Sequence, residues 1–209
     1  MSSVLVVDDH PMIRLAVRSI LERNGFDVVG EAENGVEALV KHRELAPDLV
    51  ILDIRIPRLQ GLEVIRRIVG TGLNTKILVL SSMPAEILAK RCEMAGASTF
   101  VCKKSGLEDL LQGVKSTLSG YSDLPAHSRF DELQVTDPQR GDYRKMASLT
   151  DQEVMVMQYL AAGTSAAEAA REMMLSVKTI STYKCRLLAK LGITDIVQLQ
   201  DFAKRNSLV

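Results

Sequence analysis

The first 120 residues alternate short apolar runs with stretches of helical periodicity. Runs rich in β-branched residues predict buried strands at 4–7, 28–29, 49–52, 77–80 and 99–102. Apolar positions three or four apart predict helices that begin near Pro11 and then cover 35–46, 62–69, 85–95 and 107–118. Because continuous apolar strands alternating with helices must be covered on both faces, the pattern predicts an α/β fold with a doubly wound five-stranded parallel sheet. A site in such a fold is expected at the carboxyl ends of the strands.

The pattern changes twice after residue 120. Between 121 and 146 the periodicity stops, and prolines and a glycine lie among mixed charges, which predicts an interdomain linker. From 147 to 209 the apolar positions predict four short helices and no strand. Thr150, with Glu153 three residues later, has the spacing of a capping box. The sequence therefore predicts an α/β domain at 1–120, a linker at 121–146 and a small all-α domain at 147–209.

Composition and net charge exclude only a few classes of protein. The 209 residues include 26 Lys and Arg and 26 Asp and Glu, so bulk charge argues neither for nor against nucleic acid. The chain has no apolar run long enough for a membrane span, and its first residues lack the features of a signal peptide, which favours a cytoplasmic protein. Three cysteines, far apart and without a CxxC pair, predict neither disulfides nor a zinc site.

Three carboxylates follow two of the predicted strands. Asp8 and Asp9 come directly after the first strand, and Asp53 follows the third. These two strand ends are neighbours in a doubly wound sheet, so the three carboxylates are expected to converge. Carboxylates this close repel one another, which raises their pKa values and costs stability. Mg²⁺ resolves the conflict because it prefers oxygen ligands and keeps waters that a phosphate can replace.

Two more polar residues end later strands: Ser81 follows the fourth and Lys103 the fifth. A carboxylate nucleophile, a metal, a hydroxyl and an ammonium group are together what phosphoryl transfer to an aspartate needs. The alternative is that each of these is a solvated loop residue, but polar residues at so many matching strand ends favour phosphoryl transfer. No P-loop and no nucleophile–histidine arrangement is recognisable, so a stand-alone enzyme is not expected.

The segment from Ser165 to Lys184 has the spacing of a helix–turn–helix. Its second predicted helix, 177–191, carries four basic residues and no acid. One face of this helix is apolar, with Ile180, Tyr183, Leu187 and Leu191. The opposite face and its flanks offer small polar and basic groups that can enter a major groove: Lys178, Thr179, Ser181, Thr182, Lys184 and Cys185. The alternative is an ordinary solvated basic face.

The acidic motifs resemble the receiver domains of two-component response regulators. The likeness lies in Val6-Val7-Asp8-Asp9-His10-Pro11, Leu52-Asp53-Ile54-Arg55-Ile56-Pro57, Gly61, Ser81 and Cys102-Lys103. It implies that Asp53 is the phosphoacceptor, and that Mg²⁺ is held by Asp9, Asp53 and the main-chain carbonyl of Arg55, with Asp8 assisting through a water. It also implies phosphate-binding or switch roles for Ser81, Phe100 and Lys103. The implied partner is a sensor histidine kinase or a phosphotransfer protein.

The C-terminal motifs resemble the LuxR-type four-helix DNA-binding domain. They are Leu149-Thr150-Asp151-Gln152-Glu153, Leu160-Ala161-Ala162-Gly163-Thr164-Ser165, the segment 175–184 and Lys190-Leu191. Together the two halves are similar to the NarL/FixJ family. Asp201-Phe202-Ala203-Lys204-Arg205-Asn206, and Gly25-Phe26 with Phe100-Val101-Cys102-Lys103, most resemble its BvgA-type virulence regulators. The resemblance implies a flavodoxin-like receiver whose phosphorylation controls dimerisation and the binding of promoter DNA, and so regulates transcription.

The C-terminal half leaves two questions open. Ala166-Ala167 stand where the family usually has a polar pair, which removes an expected phosphate contact. A second hypothesis is therefore an interaction module that accepts phosphate but binds DNA weakly. Ile196, Leu199 and Ala203 on the last predicted helix either supply the homodimer or close the core of the small domain.

Two positions beside the acidic motif also have alternative interpretations. The Arg55 side chain is either a solvated cation or a group that screens the phosphoryl group and alters the lifetime of the aspartyl phosphate. His10 is either a loop residue that caps the following helix or a further metal ligand.

Overall fold

The computed structural model describes residues 1–83, 85–119, 141–142, 145–146 and 148–206. These residues divide into two compact units, an N-terminal unit within Met1–Ser128 and a C-terminal unit within Arg129–Val209. No helix in the described ranges is long and apolar enough to cross a membrane. Most of the predicted linker at 121–146 lies outside the described residues.

The N-terminal unit is a parallel sheet with helices on both faces. Its elements are β1 (Ser3–Val7), α1 (Pro11–Arg23), β2 (Asp27–Ala32), α2 (Gly35–Leu45), β3 (Leu49–Leu52), α3 (Gly61–Val69), β4 (Lys76–Ser81), α4 (Ala85–Ala95), β5 (Thr99–Cys102) and α5 (Leu107–Leu118). The strands lie in the order β2-β1-β3-β4-β5, and every neighbouring pair is parallel. This confirms the predicted doubly wound fold and places the ends of β1 and β3 side by side.

Alternate residues of the strands face opposite layers of helices. On one face, strand residues such as Val4 and Ile51 pack with Val17 of α1 and Val114 of α5 in a single buried cluster. The other face contacts α2 and α4, with α3 packed between these two helices. Because both faces are covered, the central strands are apolar at nearly every position, which is why they could be predicted from sequence.

The second strand is longer than the sequence predicted. β2 covers Asp27–Ala32 rather than only 28–29. It is an edge strand whose middle is only partly buried, so its polar residues interrupt the apolar run. The Glu31 carboxylate accepts hydrogen bonds from Nε of Arg14 (3.1 Å) and Nε of Arg18 (2.5 Å) on α1. Polar contacts to a helix thus replace apolar burial along this strand.

The loop after β3 depends on a glycine where α3 begins. The Gly61 N–H donates to the Ile54 carbonyl oxygen at 3.2 Å. A Cβ at position 61 would lie 2.6 Å from Cα of Ile54 and 2.9 Å from the carbonyl oxygen of Asp53. The helix therefore packs directly against the backbone that carries Asp53, and only a residue without a side chain permits this approach.

From residue 151 onwards, the described part of the C-terminal unit has four helices and no strand. They are α6 (Asp151–Ala161), α7 (Ala166–Glu172), α8 (Val177–Leu191) and α9 (Ile196–Arg205). Each begins after a residue whose side-chain oxygen accepts a backbone N–H of the first turn: Thr150, Ser165, Ser176 and Asp195. The last helix begins at Ile196, and Asp195 is its cap. The predicted all-α architecture is confirmed, and α8 and α9 both pack on α6.

Residues before 147 also contribute to the C-terminal unit. Oδ2 of Asp142 accepts hydrogen bonds from Nη2 of Arg205 and Nδ2 of Asn206, each at 3.2 Å. Met146 is fully buried. The predicted domain limits at 120 and 147 stay predictions.

Gly61→Ala is expected to destabilise the N-terminal unit. The added methyl group meets backbone atoms that cannot move without shifting the Asp53 loop, so the free energy of unfolding should fall by about 1–3 kcal/mol. Urea denaturation of the N-terminal unit measures the change. Gly70→Ala is the control, because Gly70 is in the helical region and its added Cβ would lie 3.3 Å from the Arg66 carbonyl oxygen. Equal losses in the two variants would contradict the steric argument.

Candidate functional site

The carboxyl ends of β1 and β3 bring Asp8 and Asp53 together. The Asp53 N–H donates to the Val7 carbonyl (2.9 Å), and the Asp8 N–H donates to the Ala32 carbonyl of β2 (3.1 Å). Sheet pairing therefore continues one residue past each strand and fixes both backbones. Both side chains are buried. The structure thus holds two acids inside the protein at adjacent strand ends, as the predicted strand order requires.

Lys103 bridges these two buried carboxylates. Its Nζ lies 2.6 Å from Oδ2 of Asp53 and 2.6 Å from Oδ2 of Asp8. The Lys103 N–H donates to the Ser81 carbonyl at 2.8 Å, which fixes the Lys103 backbone beside the end of β4. One ammonium group therefore neutralises part of the charge of both acids.

Burial and the charge of Lys103 shift the pKa of Asp53 in opposite directions, and burial and the neighbouring carboxylates do the same to the pKa of Lys103. Burial raises the pKa of Asp53 above its ordinary value; the Lys103 ammonium opposes this rise, and the Asp8 carboxylate adds to it. Burial also disfavours the charge of Lys103, but Asp53 and Asp8 outweigh it, and the pKa of Lys103 is raised. Lys103 is therefore charged at neutral pH, and the carboxylate form of Asp53 depends on the cations beside it.

Asp9 and His10 complete an acidic cluster at this edge of the sheet. One potential ligand atom from each of Asp8, Asp9, His10 and Asp53 lies within 4.8 Å of the others. Asp9 is 36% exposed, so the cluster opens to solvent. Three carboxylates outnumber the ammonium group of Lys103, and oxygen ligands on an open side suit Mg²⁺. The residues present therefore fit a divalent cation.

His10 occupies the N-cap position of α1, but its side chain makes no capping hydrogen bond. His10 therefore caps the helix by position, as one of the two interpretations predicts, and through its backbone carbonyl, which accepts the N–H groups of Ile13 and Arg14. Nδ1 of His10 lies 2.7 Å from Oδ1 of Asp9 and 3.2 Å from Oδ1 of Asp8, and the His10 N–H donates to the latter oxygen at 3.0 Å. The imidazole contacts the two carboxylates of the turn instead.

Arg55 contributes its backbone to the site. Its N–H donates to Oδ1 of Asp53 at 3.1 Å, while Lys103 contacts Oδ2. The two oxygens of the Asp53 carboxylate are thus held from different sides. The Arg55 side chain is half-buried, and its Nε has no hydrogen-bond partner among the described residues. A carbonyl ligand role for Arg55, and an effect of its guanidinium on phosphate lifetime, stay predictions.

Ser81 and Phe100 lie on neighbouring strands, and both are buried. Ser81 ends β4 opposite Cys102, and its Oγ accepts a hydrogen bond from the Met83 N–H at 3.3 Å. Phe100 lies within β5, opposite Val79. Sheet register therefore brings Ser81 to the same edge as Lys103, while the phosphate-binding and switch roles of Ser81 and Phe100 stay predictions.

Arg14 was missed by the sequence reasoning. Its Nη1 donates to the main-chain carbonyl of Asp8 at 2.7 Å, and its Nε donates to Glu31. The available signal was an arginine in the second turn of the helix that follows the acidic motif. Such a residue is typical of a solvated helix face, so the pattern alone does not single it out.

The second site predicted from sequence lies on α8. Ile180, Leu187 and Leu191 are buried, and Tyr183 is half-buried, so this face packs into the unit. The opposite face carries the predicted DNA-contacting residues: Lys178, Ser181, Thr182 and Cys185 are exposed, and Thr179 and Lys184 are half-exposed. The structure therefore brings all six to the outer side of one helix, and their contacts with DNA stay predictions.

Hydroxyl groups on this outer face donate hydrogen bonds to backbone carbonyls of the same helix. Oγ of Ser181 donates to the Val177 carbonyl, and Oγ1 of Thr182 donates to the Lys178 carbonyl, each at 3.0 Å. Each hydroxyl oxygen can still accept a hydrogen bond from another group. The Thr179 hydroxyl lies 2.8 Å from the Ser176 hydroxyl within the cap of α8.

Lys190, one of the four basic residues of α8, makes its contacts within the C-terminal unit. Its Nζ lies 2.6 Å from Oε2 of Glu153 and donates to the Ser148 carbonyl at 3.1 Å. Oε2 of Glu153 also accepts the Thr150 N–H at 2.7 Å, which closes the capping box of α6. Burial acts to raise the pKa of Glu153, but the Lys190 and Thr150 hydrogen bonds outweigh it and lower this pKa. This ion pair fixes the end of α8 to the start of α6.

The structure favours the core alternative for two of the three dimer candidates on α9. Leu199 and Ala203 are fully buried, so their side chains close the core of the C-terminal unit and are not available to a second chain. Ile196 is half-buried. Val197, which the sequence reasoning did not select, is 61% exposed on the same helix. A single helical stripe has the same spacing whether it faces a core or a partner, so sequence could not separate the two roles.

Comparisons with known proteins agree with both halves of the chain. Residues 4–115 match the model of response regulator receiver domains, and residues 147–203 match the model of the luxR family of bacterial regulatory proteins. The chain is 44% identical over 207 residues to the virulence-factor transcription regulator BvgA of Bordetella pertussis, covering 99% of each chain. It is 32% identical over 206 residues to the DNA-binding transcriptional activator EvgA of Escherichia coli K12, again covering 99% of each.

A solved structure shares the fold. RcsB from Salmonella enterica serovar Typhimurium, bound to promoter DNA with a phosphomimetic beryllium fluoride, has a TM-score of 0.72 and 24% sequence identity. The match covers 98% of each chain. At this identity the likeness supports the architecture of the described units and no finer property.

Mg²⁺ is expected to stabilise the N-terminal unit. At about ten times the dissociation constant, binding to the folded state adds about 1.4 kcal/mol to the free energy of unfolding. Thermal unfolding with and without MgCl₂ measures the gain. Asp9→Asn should remove most of it, because the change neutralises an exposed ligand without disturbing the core. Asp27→Asn alters an exposed acid at the amino end of β2 and should keep the full gain; equal gains in both variants would contradict the cluster as the metal site.

Glu153→Gln is expected to destabilise the C-terminal unit at neutral pH. Loss of the charged hydrogen bond between buried Glu153 and partly exposed Lys190 should lower the free energy of unfolding by about 1.5–3 kcal/mol. Because the folded-state pKa of Glu153 is lowered, its contribution is complete above the unfolded value and disappears as pH falls through the lowered folded value. Urea denaturation at pH 7 and below pH 4.5 measures the loss of stability in Glu153→Gln, which should be smaller at the lower pH.

Glu168→Gln is the matched control for this prediction. Glu168 forms the same capping box with Ser165, but it is exposed. Its loss should be smaller than that of Glu153→Gln. Equal losses would show that the cap, and not the ion pair with Lys190, stabilises the unit.

Proposed function

The chain belongs to the two-component response regulators that join a receiver domain to a LuxR-type DNA-binding domain, and on this premise we propose that phosphorylation of Asp53 controls its binding to promoter DNA. The chain is a regulator of transcription, and its two domains imply a kinase partner and promoter DNA. One observation carries the finer proposal: Lys103 lies 2.6 Å from Asp53 within an open cluster of three carboxylates.

Phosphoryl transfer to Asp53 follows from the chemistry of its carboxylate. The proposed donor is the phosphohistidine of a sensor kinase or phosphotransfer protein. A carboxylate oxygen of Asp53 attacks phosphorus, the bond from phosphorus to the histidine nitrogen breaks, and its electron pair stays on that nitrogen. The other ring nitrogen of the phosphohistidine carries a proton, so the products are an acyl phosphate on Asp53 and a neutral imidazole on the donor.

Residues around Asp53 orient the carboxylate and receive the new charge. The Arg55 N–H and Lys103 Nζ hold its two oxygens at 3.1 Å and 2.6 Å, so the nucleophile has a fixed direction. Lys103 then pairs with a phosphoryl oxygen, and the Ser81 hydroxyl binds another. Asp9, Asp53 and the Arg55 carbonyl would hold Mg²⁺, with Asp8 assisting through a water, and the bound ion would neutralise charge on the phosphoryl oxygens.

The output of this event is DNA binding through α8. Its outer face offers Lys178, Lys184 and small hydroxyl side chains, which suit phosphate and base-edge contacts in a major groove. Few basic side chains of α8 are left to contact DNA phosphates, because Lys190 is paired with Glu153. Few phosphate contacts give weak binding by a monomer, so the active species proposed is a homodimer whose population rises on phosphorylation.

Phosphorylation is expected to raise the affinity for target DNA about tenfold or more. Target sites come from genome-wide mapping of DNA bound by the wild-type chain, and gel shifts on these sites with and without acetyl phosphate measure the change. Asp53→Asn should bind equally in both conditions and recover few sites in the map. Asp27→Asn, far from the carboxyl edge of the sheet, should respond as wild type does.

The same gel shifts decide the second hypothesis. Ala166-Ala167 and the pairing of Lys190 reduce the expected phosphate contacts, which favours a weak DNA binder. A wild-type chain that accepts phosphate but shows no sequence preference at low or high salt would support an interaction module. Sequence preference that strengthens with phosphorylation would exclude it.

A further inference from the structure

We propose that Arg14 is a positioning residue for the acidic cluster: it holds the peptide between Asp8 and Asp9 so that the cluster binds Mg²⁺ and accepts a phosphoryl group. The inference rests on the proposed function of the cluster and deepens it, because Arg14 lies on α1 and belongs to none of the groups that bind metal or phosphate.

Arg14 contacts the acidic turn through the turn's backbone. Its Nη1 donates to the Asp8 carbonyl oxygen at 2.7 Å, and its Nε donates to Oε2 of Glu31 at 3.1 Å. On the other side of the same residue, the Asp8 N–H donates to the Ala32 carbonyl at 3.1 Å. Both backbone groups of Asp8 are therefore tied to β2, one directly and one through Arg14.

Orientation of this peptide matters because Asp9 has little to hold it. The Asp9 side chain is 36% exposed, and its ion pair is with His10, which is itself 55% exposed. Rotation of the peptide between Asp8 and Asp9 would carry the Asp9 carboxylate away from Asp53. The hydrogen bond from Arg14 to the Asp8 carbonyl opposes that rotation.

Glu31 fixes the other end of the Arg14 side chain. Burial acts to raise the pKa of Glu31, but its hydrogen bonds to Arg18 and Arg14 outweigh it and lower this pKa. Glu31 is therefore ionised at neutral pH. The Arg14 side chain is 15% exposed and is held between a carboxylate and a carbonyl, so it has the rigidity that a positioning role requires.

Positioning and simple charge predict opposite signs for metal binding. Arg14 is a cation near a cation site, so electrostatics alone would make Mg²⁺ bind more tightly when its charge is removed. Loss of orientation would make Mg²⁺ bind more weakly. A role limited to global stability would change the melting temperature and leave the Mg²⁺ affinity of the folded protein unchanged.

The structure also indicates that the truncated variant will fold. Arg14 lines an open cavity of about 460 Å³, together with residues such as Asn34 and Lys41. Shortening the side chain enlarges a polar space that water already reaches, so it creates no dry void.

The test is Mg²⁺ titration of the full chain by calorimetry, with phosphorylation by acetyl phosphate as a second readout. We expect Arg14→Ala to weaken Mg²⁺ binding about tenfold or more, the range found for groups that orient metal ligands. Arg14→Lys keeps the charge and a donor and should recover part of the loss. Arg18→Ala is the matched control: Arg18 lies on the same helix and pairs with the same Glu31, and none of its hydrogen bonds within the described residues involves Asp8.

The outcomes separate this inference from the proposed function. Mg²⁺ affinity in Arg14→Ala equal to or tighter than wild type would overturn the positioning role, as would an equal loss in Arg18→Ala. A wild-type chain that neither binds Mg²⁺ nor takes up phosphoryl groups would instead overturn the proposed function.

Discussion

Repulsion between the buried carboxylates of Asp8 and Asp53 is the constraint to which the rest of the receiver domain responds. Two acids at adjacent strand ends are costly inside a protein, and Lys103, 2.6 Å from each, offsets only part of their charge. The charge that remains, increased by Asp9, favours a divalent cation and, with it, an incoming phosphoryl group. The interaction that destabilises the cation-free fold is therefore the source of the cation affinity proposed for this edge of the sheet.

Several features of the fold position the residues of this acidic cluster. Parallel strand order brings the acids together, and Gly61 lets α3 pack against the backbone of Asp53. The edge strand β2 takes part as well, because Glu31 anchors the arginine that holds the Asp8 carbonyl. In the DNA-binding domain, an ion pair between buried Glu153 and partly exposed Lys190 fixes the helix proposed to read DNA. Each domain thus uses salt bridges to hold its functional element.

The sequence predicted the elements that have a periodic apolar pattern, and it missed contacts that involve main-chain atoms. Buried strands have continuous apolar runs, so the sheet and its carboxyl edge could be placed, whereas the edge strand β2 is interrupted by polar residues such as Glu31. Leu199 and Ala203 lie on an apolar stripe whose spacing is the same for a core and for a dimer. The contact of Arg14 with the Asp8 carbonyl involves a main-chain atom, which no pattern of side chains reports.

The claim that Asp53 accepts the phosphoryl group is tested most directly by locating the acyl phosphate. The chain is incubated with Mg²⁺ and acetyl phosphate, reduced with borohydride, digested and sequenced by mass spectrometry, since reduction converts an aspartyl phosphate to homoserine. The account predicts homoserine at position 53 and its loss when Mg²⁺ is omitted. Homoserine at Asp8 or Asp9 instead, or none in a chain that is folded and binds Mg²⁺, would contradict it.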